Sequence, residues 1–171
     1  MIETRPKGWN VICMDESIML YESTIRKVWF MKGIRPIRRV TGSHSKTCLF
    51  GALSLDKKQL FRQKKEINSE TIIEFLKELK RKFSRFVLFL DKASYHKSYM
   101  VREFFKKNKD CIKPIYFPTA ASDLNPAEEP WKQIRGEFIK LPKNVTEFRK
   151  KMSEVIRKKR YKLDIVKYLC Q

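Results

Sequence analysis

A chain of 171 residues, 42% of them hydrophobic, carries enough apolar material for one proper core and reads as one domain. Its 39 Lys and Arg against 19 Asp and Glu leave a formal charge of +20, which favours a polyanionic partner, nucleic acid being the commonest. An aromatic content of 12% argues against a disordered basic tail; no apolar stretch approaches the ~18 residues of a membrane span, and no signal peptide opens the chain, so a soluble intracellular protein is expected.

In chain order, WNVICMDES (9–17) is a short apolar run ending in an acid and predicts a strand. KVWFMKGIRPIRRV (27–40) mixes β-branched and aromatic residues around Gly33 and Pro36, which predicts strand, turn and strand. KTCLFGALSL (46–55) predicts another strand, and the polar return that follows it has room for a short edge strand. The period then changes. SETIIEFLKELKRKF (69–83) places Ile72, Ile73, Leu76, Leu79 and Phe83 at helical spacing, with Ser69 as the expected N-cap. FVLFLD (86–91) predicts a buried strand. HKSYMVREFFKKNKD (96–110) returns to helical spacing through Met100, Val101, Phe104 and Phe105, and IKPIYFP (112–118) is a short strand closed by proline. Helices are predicted over 125–140 and 144–162, the second with Val145, Phe148, Met152, Val155 and Ile156 inward. This order describes an α/β domain in which an antiparallel meander feeds a parallel part.

Cys13, Cys48, Cys111 and Cys170 are too widely spaced for a zinc or redox motif, and the first two sit in apolar runs as small core residues. The acids are more informative. Asp15 follows VICM and Asp91 follows FVLFL, although Asp is depleted in strands. Either alone is explained by a turn whose backbone amides it binds. If the two strands are neighbours, both carboxylates emerge at one edge and repel unless a cation lies between them, which makes a natural seat for Mg²⁺. A third acid, Glu128, lies in DLNPAEEPWKQIR (123–135). There Asn125, Pro126 and Glu128 have the spacing of a capping box, so Glu128 either bonds back to the Asn125 amide or serves as a third ligand. Trp131, Ile134 and Phe138 at helical spacing would fix that helix to the core.

Asp15, Asp91 and Glu128, in the settings MDES, LDKASYHKS and LNPAEEPW, resemble the DDE triad of the mariner superfamily of transposases, most closely its prokaryotic insertion-sequence branch. The resemblance covers roughly residues 9–140 and includes RKVWFMKGIRP, FGALSL, FPTAASDLNPAEEPW and the histidine five residues after Asp91. It departs from the family pattern at Lys92, where a small polar residue is usual, and in the 36 residues between Asp91 and Glu128, a slightly long interval.

The resemblance implies a ribonuclease H-like fold, a five-stranded mixed sheet flanked by helices. It implies phosphoryl transfer with two Mg²⁺ or Mn²⁺ ions held by Asp15, Asp91 and Glu128: cleavage of double-stranded DNA at the ends of a mobile element and joining to TA targets, without a covalent protein–DNA intermediate. It also implies a homodimer that brings two DNA ends together, in the cytoplasm and nucleoid of a prokaryote. On this reading residues 1–171 are a single catalytic domain, with a core over about 9–140 and basic helices over 141–171. Family members usually carry helix-turn-helix domains ahead of it; with Met1 just before the first strand, the expectation is a catalytic domain alone, a fragment, or a split-gene product served by a separate DNA-recognition polypeptide. His96 is read as packing locally at a helix start, and His44 as a loop residue near DNA. Arg157, Lys158, Lys159, Arg160 and Lys162, with Tyr161 between them, suit phosphate contacts, as do Arg35, Arg38 and Arg39; a solvated helix face is the plain alternative. Two other functions compete: another ribonuclease H-like nuclease, and a non-catalytic or decayed DNA-binding remnant.

Overall fold

The computed structural model describes residues 5–22, 31–34, 40–118, 124–161 and 165–169. Its centre is β1 (Asn10–Leu20), which alternates between two buried faces. Val11, Cys13, Met19 and Tyr21 point to one side, and Ile12 and Met14 to the other. A strand covered on both sides needs apolar residues at successive positions, which accounts for the unbroken VICM run. β2 (Lys46–Ser54) and β3 (Gln59–Lys64) continue antiparallel from one edge of β1. β4 (Phe86–Leu90) and β5 (Ile112–Tyr116) lie parallel on the other, giving the order β3-β2-β1-β4-β5.

One face is covered by α1 (Ser69–Phe83) and α2 (Tyr99–Lys107), which bury Ile72, Phe75, Leu76, Leu79, Val101 and Phe105. The other is covered by α3 (Glu128–Gly136), α4 (Val145–Lys158) and α5 (Ile165–Leu169), through Trp131, Ile134, Phe148, Met152, Ile156 and Ile165. Cys13 and Cys48 are core residues, as expected. No helix among the described residues is long and apolar enough to cross a membrane.

Local chemistry differs from expectation in several places. The cap of α1 is Asn68 rather than Ser69: its Oδ1 accepts the Thr71 N–H at 2.9 Å while Thr71 Oγ1 accepts the Asn68 N–H at 3.0 Å, a reciprocal pair that removes two orphan donors. A separate 3-10 turn, Ser94–Lys97, precedes α2, and the later start leaves Met100 exposed and Phe104 half-buried. Of the strand, turn and strand predicted over 27–40, only 31–34 and Val40 are described, and Gly33 there has φ +92 in a turn. Tyr161, expected among phosphate-contacting residues, is buried against Phe61 with ring centroids 5.2 Å apart.

Gly51 answers a steric demand. It pairs with Asp15 on β1 and with Phe61 on β3, so the three form one row across the sheet. A Cβ at Gly51 would stand 2.7 Å from both the Phe61 and Trp131 rings. Gly51→Ala is therefore expected to push Trp131 off the sheet and to destabilise the protein by about 1–3 kcal/mol, read from the urea unfolding midpoint.

Candidate active site

Asp15 is mid-strand rather than terminal, since β1 runs on to Leu20. What ends near it is the parallel half of the sheet: the last β1–β4 couple is Cys13 with Phe89, and β4 stops at Leu90. Two residues beyond that couple on each chain stand Asp15 and Asp91. The two acids therefore share a level on neighbouring strands, just where β4 ceases to cover β1.

The third acid arrives by docking of α3 onto β1. Trp131 Nε1–H donates to Asp15 Oδ2 at 2.7 Å, and the Arg135 guanidinium donates to Ser17 Oγ at 2.9 Å, two residues along the same face. Ahead of the helix, buried Asn125 donates its side-chain amide to the Met14 carbonyl at 3.1 Å and accepts the Ala127 N–H at 3.1 Å. The capping box, one of the two readings of Glu128, is therefore not formed. Asn125 is used to hold the segment onto β1, and α3 begins at Glu128 with Ala127 as its cap. Glu128 lies near enough to act electrostatically on Asp15, as does Asp91. A cleft of about 230 Å³ opens here, lined by Asp15, Glu16, Ser17, Glu128, Trp131, Lys132 and Arg135. Asp91, beyond the end of β4, stands outside that lining.

The two aspartates have opposite environments. Burial, and then the neighbouring charges of Glu16, Glu128 and Asp91, push the Asp15 carboxyl up to about 7 against the pull of the Trp131 hydrogen bond. Asp91 is held below the usual carboxylate range, first by its hydrogen bond with His96 and then by the Ala93 N–H, although partial burial opposes both. Its Oδ1 accepts from His96 Nδ1 at 2.7 Å and from Ala93 N at 2.9 Å. His96 is buried, not merely packed at a helix start, and its Nε2 lies 3.3 Å from Glu16 Oε1. Burial alone would lower the imidazole, but the hydrogen bonds to Asp91 and Glu16 outweigh it and lift it to about 9, so both ring nitrogens carry protons at neutral pH and donate.

Among the described residues no three His, Cys, Asp or Glu side chains are grouped closely enough to hold a metal. Each aspartate is turned to its own donor, Trp131 or His96. The donor set nevertheless suits a hard divalent cation: Asp15 Oδ1 and Asp91 Oδ2 receive no hydrogen bond from described residues, and the mutual repulsion at Asp15 is of the kind a cation relieves.

Residues 10–149 match the family model of the DDE superfamily endonucleases. The chain belongs to that family. No curated protein matches it. Among solved structures, this DDE endonuclease chain is similar to the Mos1 transposase paired-end complex with left transposon end (15% identity, TM-score 0.64, 93% of this chain and 50% of that one). It is also similar to the Mos1 strand transfer complex (16%, 0.65, 92% and 49%) and to the catalytic domain of Mos1 mariner transposase (14%, 0.59, 93% and 74%). The chain thus spans about half the length of the transposase chains in those complexes. At such identities the likeness carries the fold, and the fold is ribonuclease H-like, as the resemblance implied.

Sequence reasoning missed Glu16 and the buried role of His96. The signal for Glu16 was present: in a strand buried on both faces, the second of two adjacent acids must face the side opposite the first. Of the candidate DNA contacts, Arg157, Lys158 and Arg160 are exposed, whereas Lys159 is half-buried; Arg35, Arg38, Arg39 and Lys162 lie outside the described residues.

The raised Asp15 carboxyl has a measurable consequence for the metal-free protein. A carboxyl with a raised folded pKa favours the folded state below its unfolded value near 3.8, and that advantage is lost as pH rises towards 7. Asp15→Asn keeps an acceptor for Trp131 and removes the charge. It is expected to stabilise the metal-free protein at pH 8 by on the order of 2 kcal/mol, about 4–8 °C in Tm, and to have little effect at pH 4, by calorimetry at both pH values.

Proposed function

We propose that this chain is the catalytic domain of a mariner-superfamily transposase of the prokaryotic insertion-sequence branch, cutting and joining DNA strands with Asp15, Asp91 and Glu128 as metal ligands. The observation that carries this reading is the shared level of Asp15 and Asp91 at the end of the parallel half-sheet, with Glu128 brought to Asp15 by Trp131. The similar Mos1 structures support it: they include complexes with transposon end DNA, with Mn and with Mg. When bound, two Mg²⁺ or Mn²⁺ ions would supply activation of the attacking water or 3′-hydroxyl and charge neutralisation at the leaving oxygen. The chain's own residues do the rest. Trp131 and His96 aim the two aspartates, while Lys132 and Arg135 line the cleft as cations suited to a phosphate.

Duplex DNA and a second copy of the chain are the partners this function calls for, in the prokaryotic nucleoid. The basic surface is not uniform in that role. Lys158 is paired with Glu154 and Lys159 with Glu137. Arg157 and Arg160 instead line a groove of about 800 Å³ with Lys57, Lys58, Arg62 and Lys82, cations contributed by the β2–β3 turn, β3 and the ends of α1 and α4. Lys82 is lowered by burial and then by Arg62, Arg160 and Lys58, a mark of positive charge crowded at this groove.

The deciding experiment is nicking of supercoiled DNA in Mg²⁺ or Mn²⁺, beside joining of a 3′-hydroxyl end to a target duplex. Both activities are expected in the wild type and neither in Asp91→Asn. Nicking without joining would assign a hydrolytic nuclease, and DNA binding with no cutting a binding remnant. For the groove, Arg157→Glu with Arg160→Glu is expected to weaken duplex binding and to flatten the plot of log affinity against log salt by about 2, with a smaller change in Lys158→Glu.

A further inference from the structure

Glu16 is a carboxylate where the fold calls for an apolar side chain. It follows Ile12 and Met14 on the face of β1 that packs against α1 and α2, and its side chain is 2% exposed. An acid buried there is costly unless paired, and a leucine would serve the packing as well. Its partners among the described residues are two, both from the 3-10 turn directly after Asp91. The His96 ring reaches it at 3.3 Å and the Tyr95 hydroxyl donates to it at 3.4 Å. His96 is itself 1% exposed in its side chain and spends its other nitrogen on Asp91 Oδ1, while the Tyr116 hydroxyl holds the His96 carbonyl at 3.2 Å. Asp91, by contrast, is half exposed, so its carboxylate has little packing to set its direction.

We propose that Glu16 and His96 form a positioning pair that aims the Asp91 carboxylate at the metal site. Adjacent residues of one strand face opposite sides of the sheet, so the dipeptide Asp15–Glu16 serves both aspartates: Asp15 as a ligand itself, and Glu16, from behind the sheet, through His96 to Asp91. A histidine on a surface turn becomes a fixed strut because β1 supplies a carboxylate for its far nitrogen. This rests on the reading of Asp91 as a metal ligand.

The test is Mn²⁺ binding to the full chain, followed by the electron paramagnetic resonance signal of free Mn²⁺, with circular dichroism melting of the metal-free protein as the control for folding. Glu16→Leu combined with His96→Phe removes the strut without leaving an orphan charge in the core. It is expected to fold and to bind Mn²⁺ about 10- to 100-fold more weakly. Glu16→Gln, which keeps an acceptor but not the charge, is expected to fall between the double variant and the wild type. Wild-type affinity in the folded double variant overturns the proposal, and should that variant not fold, wild-type affinity in Glu16→Gln does so. A wild type that binds no Mn²⁺ overturns the ligand reading beneath it as well, so the two failures are distinct.

Discussion

The site hangs on one hydrogen bond, from the Trp131 indole to Asp15. A carboxylate in the middle of a central strand is tolerated only with a donor, and the indole is the donor that also closes the core above it. For the ring to lie there the sheet must be flat beneath it, and Gly51 makes it so. Phe61 meets the edge of the ring at 5.6 Å from the next strand. Arg135 to Ser17 and Asn125 to the Met14 carbonyl fix the two ends of the same docking. Glu128 comes to Asp15 as a consequence, because it is one turn before Trp131 on the same helix.

The aspartates reach the same level of the sheet by different supports. Asp15 is held in a dry setting by a neutral donor and is pushed towards protonation by burial and by three acids around it. Asp91 is half exposed and is kept ionised by a buried imidazole. Environments that drive two carboxyls apart are the mark of sites that handle charge, here consistent with the divalent-metal chemistry proposed for this DDE endonuclease chain. The same acids, with their repulsion unrelieved, make the metal-free site a place where stability is given up.

Charge on the outside follows a related division. With 39 Lys and Arg in 171 residues, position in the chain says little about which of them meet a ligand. Pairing and convergence separate them: Lys158 answers Glu154 one turn back on α4 and Lys159 answers Glu137, whereas Arg157 and Arg160 converge with cations up to about a hundred residues away, of which Lys58 and Arg62 also hold Asp56 and Glu78.

Much of the architecture was legible because it depends on local periodicity. Short apolar runs gave way to helical spacing after Asn68, and Asp15 and Asp91 stood out as acids at the ends of such runs. The chain alone also determined that Trp131, Ile134 and Phe138 would face inward, since they make one apolar stripe, although α3 is shorter than the helix predicted over 125–140 and Phe138 is buried just past its end at Gly136. Left to tertiary structure were the choices of partner. Asn125 has a capping box within reach along the chain and takes the Met14 carbonyl instead; His96 reads as a helix-start residue and becomes a buried bridge; Glu16 carries no local sign that its partner lies eighty residues on. Spacing along the chain reports which face a side chain occupies. It cannot report which polar group from a distant element will be there when that face is buried, because a buried charge is satisfied by whatever donor the folded packing brings within hydrogen-bond reach.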